Sequence, residues 1–545
     1  MSLARSSMIM ASGTIVSRIL GFVRAVMLAL TIGVTTNAAD AFGVANQLPN
    51  NVYAIIVGGV LNAVLVPQIV RARSHKDGGK GYIDRLLTLI ITMFFVVTVI
   101  TTACAPLLVR LYTGGWSNEQ LALATAFAYW CLPQLFFYGL YSLLGEVLNA
   151  RSAFGPFMWA PVLNNLVAII GLGAFIAIFG ADPTGYRVVS MWGAGDIALL
   201  AGTATLGVAA QAVILFAFWS RIGLKFKLNF GWRGVGLRPA MKAASWTLGM
   251  VLITQLGGLV QTIIASQAAG NRETNADPNV AIASVAASSI AWLIFMLPHS
   301  IATVSIATAS FTKISTHAAA KKFKELKVDL GKSLRAILAI SALATAVLMV
   351  LAYPISRVFV GEYPSTIALG NVLIAMMFGL IPFSFVFMLQ RAFYALEDTK
   401  SPFVFTVAQI ALFVVGSVTV SLTVAPQWIV AGMALVNSIS ITAQAVIAYR
   451  TLTKRIGSFE GLKLSSALVS MILSAALAGA VGILVLNLFG GWVGTAFALK
   501  TVVGAMVTSG VVGLVMVAVY ATVLKFLNVP EADTALKAIR GIIRR

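Results

Sequence analysis

Residues 8–34 read MIMASGTIVSRILGFVRAVMLALTIGV, a long apolar run that contains two arginines. A hydrocarbon core of roughly 30 Å requires about 20 apolar residues in a helix, because lipid offers the backbone no hydrogen-bond partner. The run therefore predicts a membrane-spanning helix, and its internal arginines argue against a cleavable signal peptide. The same criterion predicts about 14 spanning segments along the chain: 8–34, 41–70, 86–112, 120–149, 157–180, 197–219, 240–269, 279–311, 335–356, 365–396, 402–424, 428–450, 464–490 and 498–527.

The composition excludes a water-soluble protein. Of 545 residues, 59% are hydrophobic and only 10% are charged, whereas a soluble domain carries about 25% charged residues. The same high hydrophobic fraction and low charged fraction exclude disordered and fibrous proteins. Cys104 and Cys131 both lie in apolar runs, so they predict small buried side chains rather than disulfides or a metal site. An all-α polytopic membrane protein remains.

The positive charges indicate how the chain crosses the membrane. The net charge is +21, and its cations concentrate in alternate links, within 71–85, 221–242, 313–335 and 450–463. Because cytoplasmic loops are enriched in Lys and Arg, this alternation predicts an even number of spans with both termini in the cytoplasm. The charge therefore reflects orientation, and we expect no nucleic-acid partner. Residues 528–545 are either an amphipathic helix on the membrane surface or a basic tail.

An internal similarity relates the two halves of the chain. Residues 17–24 align with 254–261 at a constant offset, which pairs Gly21 with Gly258 and each arginine with a glutamine. Six spans separate the partners, so the halves run in the same direction and predict a parallel repeat of two six-helix lobes plus a C-terminal helix pair. Chance similarity between apolar stretches is the alternative. The predicted domains are 1–230, 231–455, 456–527 (the helix pair) and 528–545 (the tail).

Two arginines straddle the centre of the first span. A buried Arg at mid-bilayer costs about 2.5–3.5 kcal/mol on insertion scales. Arg18 and Arg24 are separated by about 120° around the helix and about 9 Å along it, which suits two side chains that reach one multivalent anion in a wet cavity. In the alternative interpretation each arginine pairs with a buried acid, Asp40 or Glu146.

Uncharged polar residues extend this predicted surface. Pro49 kinks the second span among the amides of Asn46, Gln47, Asn50 and Asn51, with Tyr53 one turn further. The glutamines of the seventh span, Gln255 and Gln261, would form a polar wall that mirrors the two arginines. A packed kink and packed glutamines are the alternatives.

Other intramembrane polar groups support weaker hypotheses. His299 follows Pro298 in the eighth span and would either relay protons or bond a neighbouring carbonyl. Arg391 would extend its side chain to the membrane surface. The chain contains no P-loop, no HExxH motif and no Ser/His/Asp grouping, so we expect neither an enzyme, a metal site nor a cofactor.

Four stretches carry a family resemblance: Ser17–Arg24, Asp40–Phe42, Leu48–Asn50 and Arg391–Pro402. They are similar to the MurJ (MviN) family of lipid II flippases, and the similarity extends over the full length. It implies the multidrug/oligosaccharidyl-lipid/polysaccharide exporter fold, whose last helix pair forms a groove for a lipid tail. It also implies transfer of the undecaprenyl-pyrophosphate-linked peptidoglycan precursor from the inner to the outer leaflet of the bacterial plasma membrane. The implied partners are that precursor, membrane lipids and the cell-wall synthesis machinery.

The resemblance also carries over individual residues. The family's cavity arginines and acid correspond to Arg18, Arg24 and Asp40. This chain departs from the family at Asn51–Tyr53, where similar proteins have a further Arg, and at Trp292–Pro298, where they have an Asp–Arg pair. The complete set of predicted substrate-binding residues is Arg18, Arg24, Asp40, Asn50, Tyr53, Gln255 and Gln261.

The leading hypothesis is a flippase that works by alternating access, with the headgroup held by the cavity arginines. Coupling to the membrane potential, to H+ or to Na+ stays open. A related exporter of another polyprenyl-linked glycan is one alternative. A cation-coupled drug exporter is a second, although it would favour an acidic cavity. A polytopic enzyme would need a catalytic acid or nucleophile at the membrane interface, for which the short loops offer few candidates. A scaffold would leave the two buried arginines without a purpose.

Overall fold

The computed structural model describes residues 3–57, 80–150, 154–221, 226–231, 245–272, 277, 279–459 and 464–527. Within these ranges every regular element is a helix, and no β-strand occurs among the described residues. The second half of the predicted segment 41–70, most cations of the link 71–85 and the tail 528–545 lie outside the described residues.

The predicted polytopic helical fold is confirmed. Twelve described helical segments are long and apolar enough to cross a membrane, and two of them, Asn118–Leu148 and Val285–Ala319, each contain two consecutive helices. A bent pair formed by Tyr363–Met377 and Leu380–Ala395 raises the count to 13. These helices correspond to all the predicted segments except 41–70, which the structure describes only as far as Val57. Their apolar surfaces, exposed in the isolated chain, are those that would face lipid.

The first compact unit covers Met1–Gly270. One buried cluster of this unit is built around Phe94, Leu135, Leu143 and Trp219. The described helices of this unit are α1 (Leu3–Ile32), α2 (Asn37–Ile56), α3 (Lys80–Ala103), α4 (Ala105–Tyr112), α5 (Asn118–Cys131), α6 (Gln134–Ala150), α7 (Phe154–Phe179), α8 (Ala194–Arg221) and α9 (Ser245–Gly270).

The second compact unit covers Asn271–Arg545. A π-helical turn, His299–Thr303, joins its first two helices. The last long helices pack against α12, and the Tyr520 hydroxyl donates to the Ala339 carbonyl at 2.8 Å. The described helices are α10 (Val285–Pro298), α11 (Val304–Ala319), α12 (Phe323–Val350), α13 (Ala352–Arg357), α14 (Tyr363–Met377), α15 (Leu380–Ala395), α16 (Lys400–Thr423), α17 (Ile429–Ile456), α18 (Leu464–Leu488), α19 (Phe497–Lys500) and α20 (Val502–Phe526).

Helix α9 packs with the first unit, although the sequence repeat makes it the first helix of the second lobe. The Gln255 amide donates to the Asn51 carbonyl at 2.6 Å, midway along α9. Near the end of α9, the Ser266 hydroxyl accepts from Gly114 N at 2.8 Å, and the Ser266 carbonyl accepts from the Trp116 indole at 2.9 Å. The compact units therefore divide after Gly270, whereas the predicted domain boundary at 230/231 follows the repeat.

Glycine allows the end of α9 to approach the loop between α4 and α5. A Cβ atom at Gly270 would lie 2.2 Å from the Gly115 carbonyl oxygen, a distance at which backbone would have to move. Gly115 itself has φ +73°, which suits glycine. We call the approach of Gly270 to Gly115 the glycine contact.

The fourth and tenth predicted spans, which the six-span offset of the repeat makes equivalent, are both broken near the middle. Helix α5 ends at Cys131 and α6 begins at Gln134, beside Pro133. In the second unit the break lies between α14 and α15, which are bent by 44°. There the Ser438 hydroxyl donates to the Ala375 carbonyl at 2.9 Å, so a side chain satisfies a carbonyl that the interrupted helix leaves free.

Helix α12 begins earlier than the sequence predicts, at Phe323 rather than at 335. Its first turns are amphipathic: Leu326 and Leu330 are buried, while Lys324 and Lys332 are exposed. A hydropathy window detects only the apolar remainder of such a helix, so the predicted start was wrong.

A polar cluster closes the turn between α15 and α16. The Asp398 carboxylate accepts hydrogen bonds from Ser401 N at 2.9 Å and from Ser401 Oγ at 2.7 Å, and it pairs with Arg455 of α17. Burial acts to raise the pKa of Asp398, but the Ser401 hydrogen bonds and the Arg455 charge outweigh it. The pKa therefore lies below the usual 3.8.

We expect Asp398→Ala to destabilise the protein by about 1 kcal/mol, the typical effect of losing a helix-capping side chain. A lowered folded-state pKa stabilises the fold above the unfolded value of 3.8, and this contribution is lost as the pH falls through the folded-state pKa. In detergent, the Asp398→Ala variant should therefore unfold at a lower temperature than wild type at neutral pH. This difference in unfolding temperature should shrink under strong acid. Glu325→Ala, at an exposed carboxylate, is the control, and an equal deficit there would contradict the prediction.

Candidate substrate site

Helix α1 has two faces of different character. Ile15, Ile19 and Val23 form an exposed apolar stripe, which in a spanning helix faces lipid. On the other side α1 packs against α7, where the Asn165 amide donates to the Ser17 carbonyl at 2.9 Å and to its hydroxyl at 3.3 Å. Small residues at this contact let the two helices approach closely.

Neither predicted arginine lies on the lipid-facing stripe. At about 100° per residue, Arg18 is turned about 100° from Ile19, and Arg24 about 140° in the opposite sense. Both side chains are half-buried. Their placement avoids the full cost of burying a charge in lipid.

Arg24 is surrounded by neutral groups. The groups within electrostatic range of its guanidinium are Tyr138 and Cys131. Among the described residues Arg24 forms neither an ion pair nor a hydrogen bond, so the alternative that pairs it with Asp40 or Glu146 is not realised. A positive charge that no protein carboxylate neutralises is available to an anionic ligand.

The three predicted site residues of α2 differ in their exposure. Asp40 lies in the first turn and is fully buried, so a ligand cannot reach it in this conformation. Asn50 is exposed. The Tyr53 ring packs 6.3 Å from Phe94 and 5.6 Å from Tyr138, so Tyr53 lies beside the neighbours of Arg24.

Asn51 begins the stretch at which the resemblance implied a departure from the family, and it has structural contacts. The carbonyl of Asn51 accepts the Gln255 amide of α9, and the side chain of Asn51 bonds the Tyr112 hydroxyl. Gln255 is thereby engaged with backbone, while Gln261 is half-buried two turns further along α9.

A polar stripe on α6 escaped the sequence analysis. It consists of Gln134, Tyr138, Ser142 and Glu146, one residue per turn on one face of the helix. Of these four, only Glu146 had been considered, as a pairing acid. The recurrence of polar residues at every fourth position within an apolar span is the signal that could have identified the stripe.

Hydrogen bonds hold the Gln134 end of this stripe in place. The Tyr138 hydroxyl donates to the side-chain oxygen Oε1 of Gln134 at 3.1 Å, and the side-chain amide of Gln134 donates to Asn46 Oδ1 and Thr205 Oγ1, both at 3.1 Å. The Thr205 hydroxyl donates in turn to the Trp130 carbonyl at 2.7 Å. A backbone carbonyl can only accept a hydrogen bond. Because this series of hydrogen bonds ends on the Trp130 carbonyl, each bond in the series has a defined direction.

His299 and Arg391, in helical segments of the second unit, have aromatic neighbours. His299 Nδ1 lies 3.0 Å from Ser384 Oγ, so its partner is a hydroxyl rather than the predicted carbonyl, and its ring packs on Phe383 and Phe387. The Arg391 guanidinium lies 5.1 Å from the Phe387 ring centroid. These contacts are typical of packed, structural side chains.

The departure from the family pattern before Pro298 is an aromatic cluster. Trp292 stacks on Phe295 with ring centroids 5.2 Å apart, and both rings contact Phe383 edge-on. This part of α10 is thus an apolar packing surface rather than a charged one.

The described chain thus combines many membrane-crossing helices with an unneutralised arginine and a stripe of amides and hydroxyls inside the first unit. Polar groups placed inside a helical bundle, away from lipid, are characteristic of membrane transporters. The chain belongs to the MurJ family, since the family model described as "Lipid II flippase MurJ" matches residues 28–504. This is a family of transporters and not of enzymes.

Relatives match nearly the whole chain. A probable lipid II flippase MurJ of Rhizobium tropici is 26% identical over 532 residues, which cover 95% of this chain and 93% of the relative. The corresponding protein of Rhizobium meliloti (strain 1021) is 25% identical over 498 residues, which cover 88% and 86%.

Solved structures share the fold. A lipid II flippase MurJ in an inward closed conformation has a TM-score of 0.71 at 18% identity, with 95% of this chain and 99% of that chain covered. An inward-facing multidrug resistance MATE family transporter of the MOP superfamily has a TM-score of 0.59 at 17% identity, with 82% and 99% covered.

Proposed function

We propose that this protein flips lipid II from the cytoplasmic to the outer leaflet of the bacterial plasma membrane, with Arg18 and Arg24 holding the pyrophosphate of the headgroup. The observation that carries the proposal is the environment of Arg24. Its guanidinium faces a phenol and a thiol, so its charge is left for the substrate. Arginine offers phosphate oxygens a planar fork of donors, and hydrogen bonds to charged groups are the strong ones.

We propose that transport proceeds by alternating access. The polyprenyl tail would remain in lipid while the headgroup occupies the polar interior beside α1, α2 and α6. With both termini in the cytoplasm, a negative cell interior would favour the inward return of the emptied cationic site. One charge moved through 100 mV is worth about 2.3 kcal/mol. We propose the membrane potential as the driving force on this ground.

Leaflet-resolved labelling of lipid II tests the proposal. In cells depleted of their own flippase, expression of this chain should restore the appearance of lipid II in the outer leaflet. A membrane-impermeant reagent that reacts with the headgroup reports the exposed fraction. Well-expressed protein that leaves lipid II inaccessible would overturn the proposal, and transport of an unrelated polyprenyl-linked glycan in its place would favour the alternative exporter.

A further inference from the structure

Glu146 is the carboxylate at one end of the polar stripe on α6. It is half-buried within a spanning helix, and among the described residues it forms neither an ion pair nor a hydrogen bond. Glu146 lies in the last turn of its span, two residues before Leu148. A half-buried carboxylate there without a protein cation is available to a positively charged ligand.

The neighbours of Glu146 are oxygen-bearing groups. Ser142 lies one turn away on the same face of α6. Tyr53 of α2 hydrogen-bonds Ser142 and lies within electrostatic range of Glu146. A carboxylate beside two hydroxyl oxygens offers acceptors to a positively charged donor.

The stripe also places Glu146 at a defined distance from Tyr138, the residue that lies beside the proposed anion-binding Arg24. Arg24 faces Tyr138, and Tyr138 and Glu146 are separated by eight residues of one helix, or about 12 Å. The interior of the first unit therefore presents a positive group and a negative group at the two ends of one polar face. A ligand complementary to this surface is anionic at one end and cationic at the other.

We propose that Glu146 binds a primary ammonium group of the substrate headgroup and so selects lipid-linked glycopeptides that carry a free amine. The inference rests on the proposed function, because Arg24 must hold the pyrophosphate for the amine to reach Glu146. The stem peptide of the precursor is the part of the headgroup that can supply such an amine. A polyprenyl-linked glycan without an amine would leave the carboxylate unpaired and would be transported less well.

The test compares two substrates in proteoliposomes: lipid II with its free amine and the same lipid with that amine acetylated. We expect wild-type protein to flip the free-amine form about tenfold faster, a ratio typical of one charged contact. We expect Glu146→Gln to flip both forms at the rate at which wild type flips the acetylated one. Glu119→Gln, at an exposed acid in the first turn of α5, should retain the wild-type preference.

The outcomes separate the inference from the proposed function. Wild-type protein that flips neither lipid contradicts the proposed function. If wild-type protein flips both lipids equally, only the role of Glu146 is overturned. The same conclusion follows if Glu146→Gln retains the preference or is inactive on both lipids. Replacing Na+ by choline should leave the preference unchanged. Loss of the preference in choline would assign the site to an inorganic cation and overturn the ammonium proposal.

Discussion

Arg24→Ala is expected to reduce lipid II flipping by about 100-fold. A hydrogen bond to a charged group contributes roughly 1.5–3 kcal/mol, and a bidentate contact between arginine and phosphate contains two such bonds. At 1.4 kcal/mol per factor of ten, loss of that contact accounts for about two orders of magnitude. No carboxylate among the described residues pairs with Arg24, so the substitution leaves no protein acid unneutralised and should not unfold the bundle.

Initial flipping rates in proteoliposomes provide the measurement. Arg24→Lys retains the charge but loses the fork, and we expect an intermediate rate. Arg110→Ala removes an exposed arginine near the end of α4 and should behave as wild type. If Arg24→Ala flips lipid II at the wild-type rate, the headgroup is held elsewhere.

Gly270→Ala is expected to displace the end of α9 from the loop between α4 and α5. The added methyl group would lie 2.2 Å from the Gly115 carbonyl oxygen, and backbone cannot rotate away as a flexible side chain can. Overpacking of this kind costs about 1–3 kcal/mol, and a cost of about 2 kcal/mol within this range shifts the population of the described conformation by roughly thirtyfold.

Maleimide labelling measures this displacement. In a protein whose two native cysteines are replaced, Ala268→Cys introduces a thiol at a fully buried position of α9. We expect Gly270→Ala to accelerate its labelling at least about tenfold, since the accessible population rises with the shift. Gly258→Ala is the matched control, because a Cβ atom there meets nothing within 4 Å. Equal labelling of the two variants would show that the glycine contact does not hold α9.

The spanning segments were predictable because hydropathy is a local property. About 20 apolar residues in sequence already determine that a helix crosses the bilayer. The placement of Arg24 away from lipid was predictable for the same reason, since a charge is excluded from the lipid face whatever surrounds it. The early start of α12 was not predicted, because its first turns owe their helical form to one buried face rather than to overall apolarity.

The partners of these residues required the structure. Asp40 was assigned to the site by resemblance, yet the packing of α2 buries it completely. The association of α9 with the first unit depends on contacts such as that between Trp116 and Ser266, which are about 150 residues apart in sequence. Window-averaged hydropathy also concealed the stripe on α6, because Gln134 and Tyr138 are outnumbered by apolar neighbours.

The ordered chain from Tyr138 through Gln134 to Thr205 and Trp130 has a consequence for energy coupling. Proton conduction requires each link to pass on one hydrogen and accept another, but a carboxamide does not readily give up its N–H hydrogens. Gln134 therefore interrupts proton transfer along this series of hydrogen-bonded residues. A proton pathway that drives transport would have to bypass this part of α6.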